Sequence, residues 1–410
     1  MSLSNPRSVL GALLAFAFTI FALSAFAFGQ TESILYTFTG GSDGSGPTGS
    51  LIFDAAGNLY GTTDAGGVND GNGGKGVVFE LSPASGGGWT ETALYAFQGG
   101  SDGEVPFGGV IFDAAGNLYG TTNFGGAHNK GTVYELSPVA GGGWTEQVLY
   151  SFGKGNDAAL PNGGLVFDSA GNLYGTTSSG GSQNLGTVFQ LSPVAGGGWT
   201  ETVILNGTAL YGGSFNGSVT LDNSGNFYVP APTGSSSNAG SVYRVTHTLS
   251  GWHHGVIYSF LGGADGSEPV AGLTFRAPNI LFGTTEGGGT FSSGTAFELT
   301  RTGSTWNKTI LHDFGVTSKD GLFPTIPFTI GATGQLYGTN GSGGTAGGGT
   351  AFELAKDAAG WKEKILHNFT TGADAGGPEG GVVLDGAGNL FGMGHNGGSF
   401  GAGAVYEITP

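Results

Sequence analysis

Six aspartates recur along the chain, each in a segment of the form D-G-x-x-P or D-A-x-x-P. They are Asp43, Asp102, Asp157, Asp265, Asp320 and Asp374. Carboxylate oxygens are hard ligands, and Ca²⁺ binds about six to eight oxygens at once. A second interpretation is turn chemistry, in which the aspartate hydrogen-bonds to nearby backbone. Because the sequence contains no D-x-D-x-D-G calcium loop, it favours turns and predicts no cofactor, with Ca²⁺ as the alternative.

Histidines are the other side chains that could transfer protons near neutral pH. His128 and His395 fall in predicted glycine-rich loops, and each is followed by asparagine. A general base must lie within hydrogen-bond reach of the proton it removes, and the sequence identifies no nucleophile beside either residue. His312 and His367 occupy a repeat position that is tyrosine in other copies. We interpret these two as strand residues without a chemical role.

Motifs that bind nucleotides, catalytic zinc or acyl substrates are missing from the sequence. It has no glycine-rich phosphate loop before a helix, no H-E-x-x-H and no nucleophile elbow. The chain contains 29 acidic and 12 basic residues, a net charge of −17. An acidic surface repels phosphate backbones and anionic lipids. We therefore expect neither nucleic acid nor an anionic membrane surface as a partner.

The elements that must position these residues repeat seven times. The residues that follow N-L-Y, or its equivalent, are Gly61, Gly120, Gly175, Val229, Gly283, Gly338 and Gly392. Each copy has four short runs rich in β-branched and aromatic residues and bounded by Gly, Asn, Asp or Pro, which is typical of strands. In the second copy these runs are residues 109–113, 117–122, 131–137 and 144–152. The repeat predicts an all-β, seven-bladed β-propeller with four-stranded antiparallel blades.

The two ends of the chain predict how the ring closes. The last copy ends after its third strand, whereas the N-terminal part holds an isolated fourth strand at residues 31–38. Pairing of the two would complete the last blade and remove an exposed sheet edge. We therefore predict one propeller domain over residues 28–410, and we expect a monomer.

The fourth copy departs most from the repeat. It reads N-F-Y-V-P-A-P-T at residues 226–233 in place of N-L-Y-G-T-T, and Y-G-G-S-F precedes it at residues 211–215. One interpretation is drift of the repeat. The other is that this edge of the ring contacts a ligand through Tyr211, Phe215 and Tyr228.

The motif D-x-x-G-N-L-Y-G-T-T-x-x-G-G followed by G-T-V-F-E-L resembles the glycine-rich tandem repeat called GloVer. That repeat occurs in secreted bacterial proteins with varied anchoring tails. The resemblance covers essentially all of the chain after residue 27. It implies an exported repeat protein and no catalytic residues. The sequence departs from the family pattern because it ends at Pro410 without an anchoring tail, so we expect no attachment through such a tail.

Residues 1–27 are typical of a secretory signal peptide. They contain one basic residue, Arg7, then an apolar run from Val9 to Phe26, and they end in the small-residue pattern A-F-A. The run is also long enough for an uncleaved membrane anchor. No cysteine is present, so stability cannot come from disulfides. We expect a secreted or periplasmic bacterial protein.

The loops between blades, together with those between second and third strands, should emerge on one face and form the binding surface. The recurring aspartates, His128 and His395 would lie there. Our first interpretation is an exported, non-enzymatic binding or adhesion protein that recognises a carbohydrate or protein partner. The alternative is a propeller hydrolase or lyase of the lactonase type, because fold does not determine function. A cluster of titratable side chains at the channel mouth would favour the enzyme.

Overall fold

Seven four-stranded antiparallel sheets surround a central channel in the computed structural model of the protein. The structure describes residues 31–68, 73–210, 212–370 and 372–409. The predicted all-β, seven-bladed propeller is confirmed. The predicted signal peptide at residues 1–27 and Tyr211 lie outside the described residues, so both predictions about them stay predictions.

The first strand of each blade lies nearest the channel and the fourth strand lies outermost. Blade 1 contains Ser45–Phe53, Leu59–Ala65, Val77–Pro83 and Trp89–Ala96. Blade 2 contains Ile111–Phe112, Leu118–Thr122, Thr132–Pro138 and Trp144–Ser151. Blade 3 contains Val166–Phe167, Leu173–Gly180, Thr187–Pro193 and Trp199–Asn206, with Ala158–Pro161 as an added edge. Blade 4 contains Thr220–Leu221, Phe227–Ala231, Ser241–Thr248 and Gly251–Ser259.

The remaining blades follow the same order. Blade 5 contains Thr274–Ala277, Ile280–Thr285, Thr295–Thr302 and Thr305–Asp313. Blade 6 contains Thr329–Ile330, Leu336–Asn340, Thr350–Asp357 and Gly360–Asn368. Blade 7 contains Val383–Leu384, Leu390–Gly394, Ala404–Thr409 and Thr31–Thr37. Helix among the described residues is limited to a 3₁₀ turn, Gly263–Asp265, and no helix there is long and apolar enough to cross a membrane.

Ring closure joins the two ends of the chain as predicted. Thr31–Thr37 pairs antiparallel with Ala404–Thr409, in a register that runs from Thr31 opposite Thr409 to Thr37 opposite Ala404. Phe38, which follows the closing strand, is fully buried beside Phe79 of blade 1, with ring centroids 5.1 Å apart. The N-terminal strand therefore connects blade 7 to blade 1 through its packing as well as its backbone.

The hairpin between the first and second strands shows why D-A-A-G-N recurs. In blade 2, Oδ1 of Asp113 accepts hydrogen bonds from the backbone N–H groups of Ala115 and Asn117, both at 2.8 Å. Oδ2 accepts from the Asn117 side-chain amide at 2.8 Å. Gly116 adopts a left-handed φ of +88°, which glycine tolerates without a steric penalty. The same hydrogen bonds recur at Asp54, Asp168, Asp222 and Asp385.

Large aromatic side chains pack the blades against one another. The indole of Trp252 in blade 4 lies 6.1 Å from the ring of Tyr174 in blade 3, and Trp306 in blade 5 lies 5.8 Å from Tyr228 in blade 4. Both pairs meet edge to face, the arrangement that aromatic quadrupoles favour. A tryptophan occupies this position in the outer strands of blades 1 to 6, and in these two examples it joins its blade to the blade before it.

Candidate functional site

The loops between blades meet the loops between second and third strands at one end of the ring, which we call the loop face. Gly321–Leu322 of the segment between blades 5 and 6 pairs with Ser342–Gly343 in the corresponding loop of blade 6. Between blades 7 and 1, the backbone N–H of Gly67 donates to the carbonyl of Gly41 at 2.8 Å. The expectation that both kinds of loop share a face is confirmed.

Each recurring aspartate closes one segment between blades. Asp102 accepts a hydrogen bond from the Tyr95 hydroxyl at 2.7 Å and from the backbone N–H of Gln98 at 2.6 Å. The backbone donor lies four residues before the aspartate, within the same segment. Equivalent bonds form at Asp43, Asp157, Asp265, Asp320 and Asp374. These bonds give all six carboxylates a role in loop closure. The expectation of no cofactor, with Ca²⁺ as the alternative, stays a prediction.

A second ionisable side chain approaches each of these aspartates from the outer strand of the following blade. At the interface of blades 1 and 2 it is Glu146, which faces Asp102. Burial first, and the charge of Asp102 second, raise the pKa of Glu146 to about 7. Glu91 beside Asp43 and Glu201 beside Asp157 show the same shift, to about 7, with burial again the largest cause. Two carboxyl groups therefore meet between successive blades.

The interface of blades 4 and 5 carries a lysine in place of this glutamate. Nζ of Lys308 lies 2.9 Å from Oδ1 of Asp265, and the lysine side chain is almost fully buried. The same ammonium lies 5.0 Å from the centroid of the Phe260 ring, which is within the range of a cation–π interaction. At this interface the buried lysine supplies a positive charge to Asp265. At the interfaces described above, a glutamate faces the equivalent aspartate instead.

Two interfaces add a histidine to the carboxyl pair. Nε2 of His312 lies 3.3 Å from Oδ2 of Asp320 and 3.7 Å from Oε2 of Glu363. At the next interface, Nε2 of His367 lies 3.3 Å from Oδ2 of Asp374 and 3.8 Å from Oε2 of Glu32. Each cluster brings together a nitrogen and two carboxylates that could hold a metal ion.

Sequence reasoning assigned no role to these histidines because it considered each strand alone. The sequence pattern that could have identified these clusters lies in the outer strands. The histidine and the glutamate occupy positions four residues apart in that strand, but a β-bulge lies between them and reverses the alternation of side chains. The histidine position therefore faces the following blade, and the glutamate position faces the preceding one. Only the packing of neighbouring blades brings the histidine of one copy to the glutamate of the next.

The two histidines predicted on the loop face differ in their surroundings. Nε2 of His395 in blade 7 lies 3.3 Å from Oδ2 of Asp64 in blade 1. This hydrogen bond, opposed by burial and aided by the charge of Glu379, raises the pKa of His395. His128 is exposed in the corresponding loop of blade 2. They lie on different blades, and neither supplies a nucleophile–base pair.

The fourth blade does not present its unusual aromatic residues to solvent. Phe215 is fully buried in the core formed with Tyr243 and Phe227, and Tyr228 is buried between blades 4 and 5. The Tyr228 hydroxyl donates to Asp222 at 3.2 Å. Both rings are buried in this structure, and the expectation that they contact a ligand stays a prediction. Phe215 replaces the proline of the other copies and packs in this core, whereas Tyr228 is the tyrosine of the repeat itself.

Exposed aromatic residues occur instead in the loops. Five of the described phenylalanines are between 40% and 66% exposed, and all five belong to the loop face: Phe107, Phe124, Phe291, Phe323 and Phe400. Phe107 and Phe323 lie in segments between blades, and the other three lie between second and third strands. Leu210, Leu261 and Val316, also exposed, lie in further segments between blades. The sequence interpretation stressed aspartates and missed these residues.

The central channel contains a cavity of about 260 Å³ that all seven blades line. Its described lining consists of glycine, serine, threonine, asparagine, proline and apolar residues, together with Glu379. Glu379 is the single titratable residue among them. The described channel lining therefore lacks the cluster of titratable side chains that would favour the enzyme interpretation.

Seven four-stranded blades, each closed by the same glycine-rich turns, define the protein as a β-propeller built from tandem repeats. The chain belongs to the Gloeobacter/Verrucomicrobia repeat family, whose model matches residues 19–138, 68–277 and 218–410. The predicted family resemblance is thus confirmed. No curated protein matches the sequence significantly.

Solved structures share the architecture at low sequence identity. A candidate 6-phosphogluconolactonase from Bacteroides uniformis is 11% identical with a TM-score of 0.50, and the match covers 78% of this chain and 83% of that chain. A protein from Lactobacillus plantarum is 15% identical with a TM-score of 0.51, over 77% of this chain and 84% of that chain. At these identities the likeness shows the fold alone.

Proposed function

We propose that the protein is an exported, non-enzymatic binding protein that recognises its partner through the loop face. The observation that carries the proposal is the position of the five exposed phenylalanines, all of which lie on that face. Large exposed apolar patches mark sites of interaction, and we take these side chains as parts of one such surface. Export rests on residues 1–27, which have the pattern of a secretory signal peptide.

The side chains on the loop face favour a protein partner over a carbohydrate. Aromatic residues are enriched at the centre of protein–protein interfaces. The exposed aliphatic residues Leu210, Leu261 and Val316 add apolar area that a sugar ring, with its many hydroxyl groups, does not match. Backbone hydrogen bonds from Phe124 to the carbonyl of Glu104 and from Phe323 to the carbonyl of Ser293 hold these loops, which reduces the backbone entropy lost on binding. A carbohydrate partner remains the alternative outcome of the experiment.

The lining of the channel supports binding over catalysis. Lactonase-type chemistry needs several ionisable groups or a metal that converge on the reacting bond. The described residues around the channel offer Glu379 and otherwise hydroxyl, amide and apolar groups. The 6-phosphogluconolactonase candidate shares the fold with this chain at 11% identity, which does not extend its activity to this protein.

The loop face can be tested with two matched triple variants. One variant carries Phe124→Ser, Phe291→Ser and Phe400→Ser on the loop face. The control carries Val139→Ser, Val194→Ser and Leu249→Ser, three exposed residues in loops between third and fourth strands, at the opposite end of the ring. Both variants remove exposed apolar side chains, so both should fold and melt like the wild-type protein.

The purified proteins would be applied to a panel of cell-surface proteins and to a glycan array. Wild type and control should bind one identified surface protein with similar Kd, and the loop-face variant should bind at least tenfold more weakly. Equal binding by both triple variants would contradict the proposed face. Turnover of a lactone by wild type, in the absence of any partner, would establish the enzyme interpretation instead.

A further inference from the structure

Two buried carboxylate oxygens lack hydrogen-bond donors in the group formed by His312, Asp320 and Glu363, which we call the blade 5/6 cluster. They are Oδ1 of Asp320 and Oε1 of Glu363, and no described residue donates to either. The side chain of Asp320 is 2% exposed. A buried acceptor without a donor costs free energy. The imidazole of His312 reaches the other oxygen of each carboxylate, which leaves these two buried oxygens available to a metal ion or a proton.

The spacing of the three side chains fits a small metal ion. One ligand atom from each residue lies within 4.8 Å of the other two. Nε2 of His312 is 3.3 Å from Oδ2 of Asp320 and 3.7 Å from Oε2 of Glu363. An ion bound tetrahedrally at about 2.0–2.2 Å holds its nitrogen and oxygen ligands roughly 3.3–3.6 Å apart. Small side-chain adjustments would bring all three atoms to these distances.

The ligand atoms are already held in position. The His312 ring meets the buried Phe314 ring edge to face, with centroids 4.9 Å apart. Oδ2 of Asp320 accepts a hydrogen bond from the backbone N–H of Val316 at 3.0 Å. The three residues come from the outer strand of blade 5, the segment between the blades and the outer strand of blade 6. A bound ion would thus join two blades and fix the segment that carries Phe323 to the loop face.

We propose that the blade 5/6 cluster binds a divalent transition metal ion such as Zn²⁺, through Nε2 of His312 and the carboxylates of Asp320 and Glu363. One imidazole, two carboxylates and an open fourth position form a set that Zn²⁺ accepts. Ca²⁺ prefers a larger set made of oxygen atoms. The inference is independent of the partner proposed for the loop face.

The equivalent positions at the other interfaces show why the blade 5/6 cluster is the preferred metal site. Between blades 1 and 2 the histidine position is Tyr95, which donates to Asp102 and offers no nitrogen ligand. Between blades 4 and 5, Lys308 already supplies positive charge to Asp265 at 2.9 Å. The cluster of Glu32, His367 and Asp374 has the same residue types, but its aspartate is 12% exposed, against 2% for Asp320, and its histidine is 23% exposed, against 16% for His312. We expect weaker binding there because water competes more strongly for exposed ligands.

Calorimetric titration with ZnCl₂ tests the proposal on tag-free, full-length protein that has been treated with a chelator and dialysed. Wild type should show a tight event, and its Tm should rise by about 2–4 °C when zinc exceeds Kd roughly a hundredfold. His312→Tyr should lose the tight event. The repeat itself places tyrosine at this position in four other blades, so this variant is compatible with the fold. Glu363→Gln provides a second, independent removal of a ligand.

Two variants serve as controls. Glu146→Gln removes the equivalent glutamate from an interface without histidine, and His367→Tyr removes the histidine of the more exposed cluster. Both should retain the tight event. Unchanged zinc binding in His312→Tyr and Glu363→Gln would overturn the proposal, as would a wild-type protein that gives neither heat nor a Tm shift with zinc. A larger response to Ca²⁺ than to Zn²⁺ would also overturn it.

Discussion

Nε2 of His395 lies 3.3 Å from Oδ2 of Asp64, although the two residues are 331 positions apart in the chain. His395 belongs to blade 7 and Asp64 to blade 1, so this contact lies at the junction where the ring closes. Both side chains are about three-quarters buried. The two ends of the propeller are therefore joined by side chains on the loop face as well as by the N-terminal strand.

Protonation should strengthen this junction. The hydrogen bond to Asp64 is the largest cause of the raised pKa of His395, opposed by burial and aided by Glu379. A raised histidine pKa contributes stability that is present below the ordinary value of 6.5 and is lost as pH rises through the pKa in the folded protein. We expect His395→Asn to lower the free energy of unfolding by about 0.5–1 kcal/mol at pH 5.5 and by much less at pH 9.

Urea denaturation at the two pH values measures this difference. His128→Asn provides the control, because His128 is an exposed residue in the equivalent loop of blade 2. It should leave the unfolding free energy unchanged at both pH values. If His395→Asn lost the same free energy of unfolding at pH 5.5 and pH 9, the positive charge of protonated His395 would not contribute to the stability of this junction.

The glutamates between blades should give a pH dependence of the same sign through a different cause. Burial and the charge of Asp102 raise the pKa of Glu146 from 4.5 to about 7. A carboxyl group with a raised pKa contributes stability below pH 4.5, and that stability is lost as pH rises towards 7. Glu146→Gln should therefore stabilise the protein at pH 8.5, by about 1 kcal/mol after allowance for solvent screening, and change little at pH 5.

Glu135→Gln, on the third strand of the same blade, controls for the loss of one negative charge from the whole protein. Unfolding curves at pH 5 and pH 8.5 compare the two variants. A gain at pH 8.5 in Glu135→Gln as large as that in Glu146→Gln would assign the effect to net charge and would contradict the local explanation.

The N-terminal strand should be indispensable to the fold. Removing residues 1–38 deletes Thr31–Thr37 and Phe38, exposes the edge of Ala404–Thr409 and opens the core of blade 1. Exposed strand edges pair with other chains. We expect this truncation to aggregate in size-exclusion chromatography, whereas removal of residues 1–27 should leave a monomer. A soluble, cooperatively melting protein that lacks residues 1–38 would show that the ring does not depend on this closure.

The sequence allowed the fold to be predicted because each blade is encoded locally. The turn at Asp113 and Gly116, for example, needs residues within five positions of one another. The cluster of His312 and Glu363 could not be predicted in this way, since its members lie about one repeat apart and meet only when blades pack. The burial of Tyr228 depends on Trp306 of the next blade in the same manner. Contacts within a repeat could therefore be predicted from the sequence, whereas contacts between repeats could be identified only in the structure of the whole ring.

One backbone feature recurs in every segment between blades. The residue before the proline, or before its equivalent Phe215, has a left-handed φ of +53° to +62° in all seven copies: Gly46, Val105, Leu160, Ser214, Glu268, Phe323 and Gly377. In each copy its N–H donates to a carbonyl of the preceding blade, as Val105 does to Lys75 at 2.9 Å. A β-branched residue in this region is strained, typically by about 1–3 kcal/mol.

We therefore expect Val105→Gly to stabilise the protein or leave it unchanged, since relief of this strain offsets the greater freedom of glycine in the unfolded chain. The converse change, Gly46→Val, should destabilise it by at least about 2 kcal/mol. A Cβ at Gly46 would lie 2.4 Å from Oδ1 of Asp64 and 2.8 Å from Nε2 of His395, so it would also disturb the junction between blades 7 and 1. Urea unfolding of both variants provides the measurement. A marked loss of stability in Val105→Gly would show that the valine side chain contributes more by packing than its backbone conformation costs.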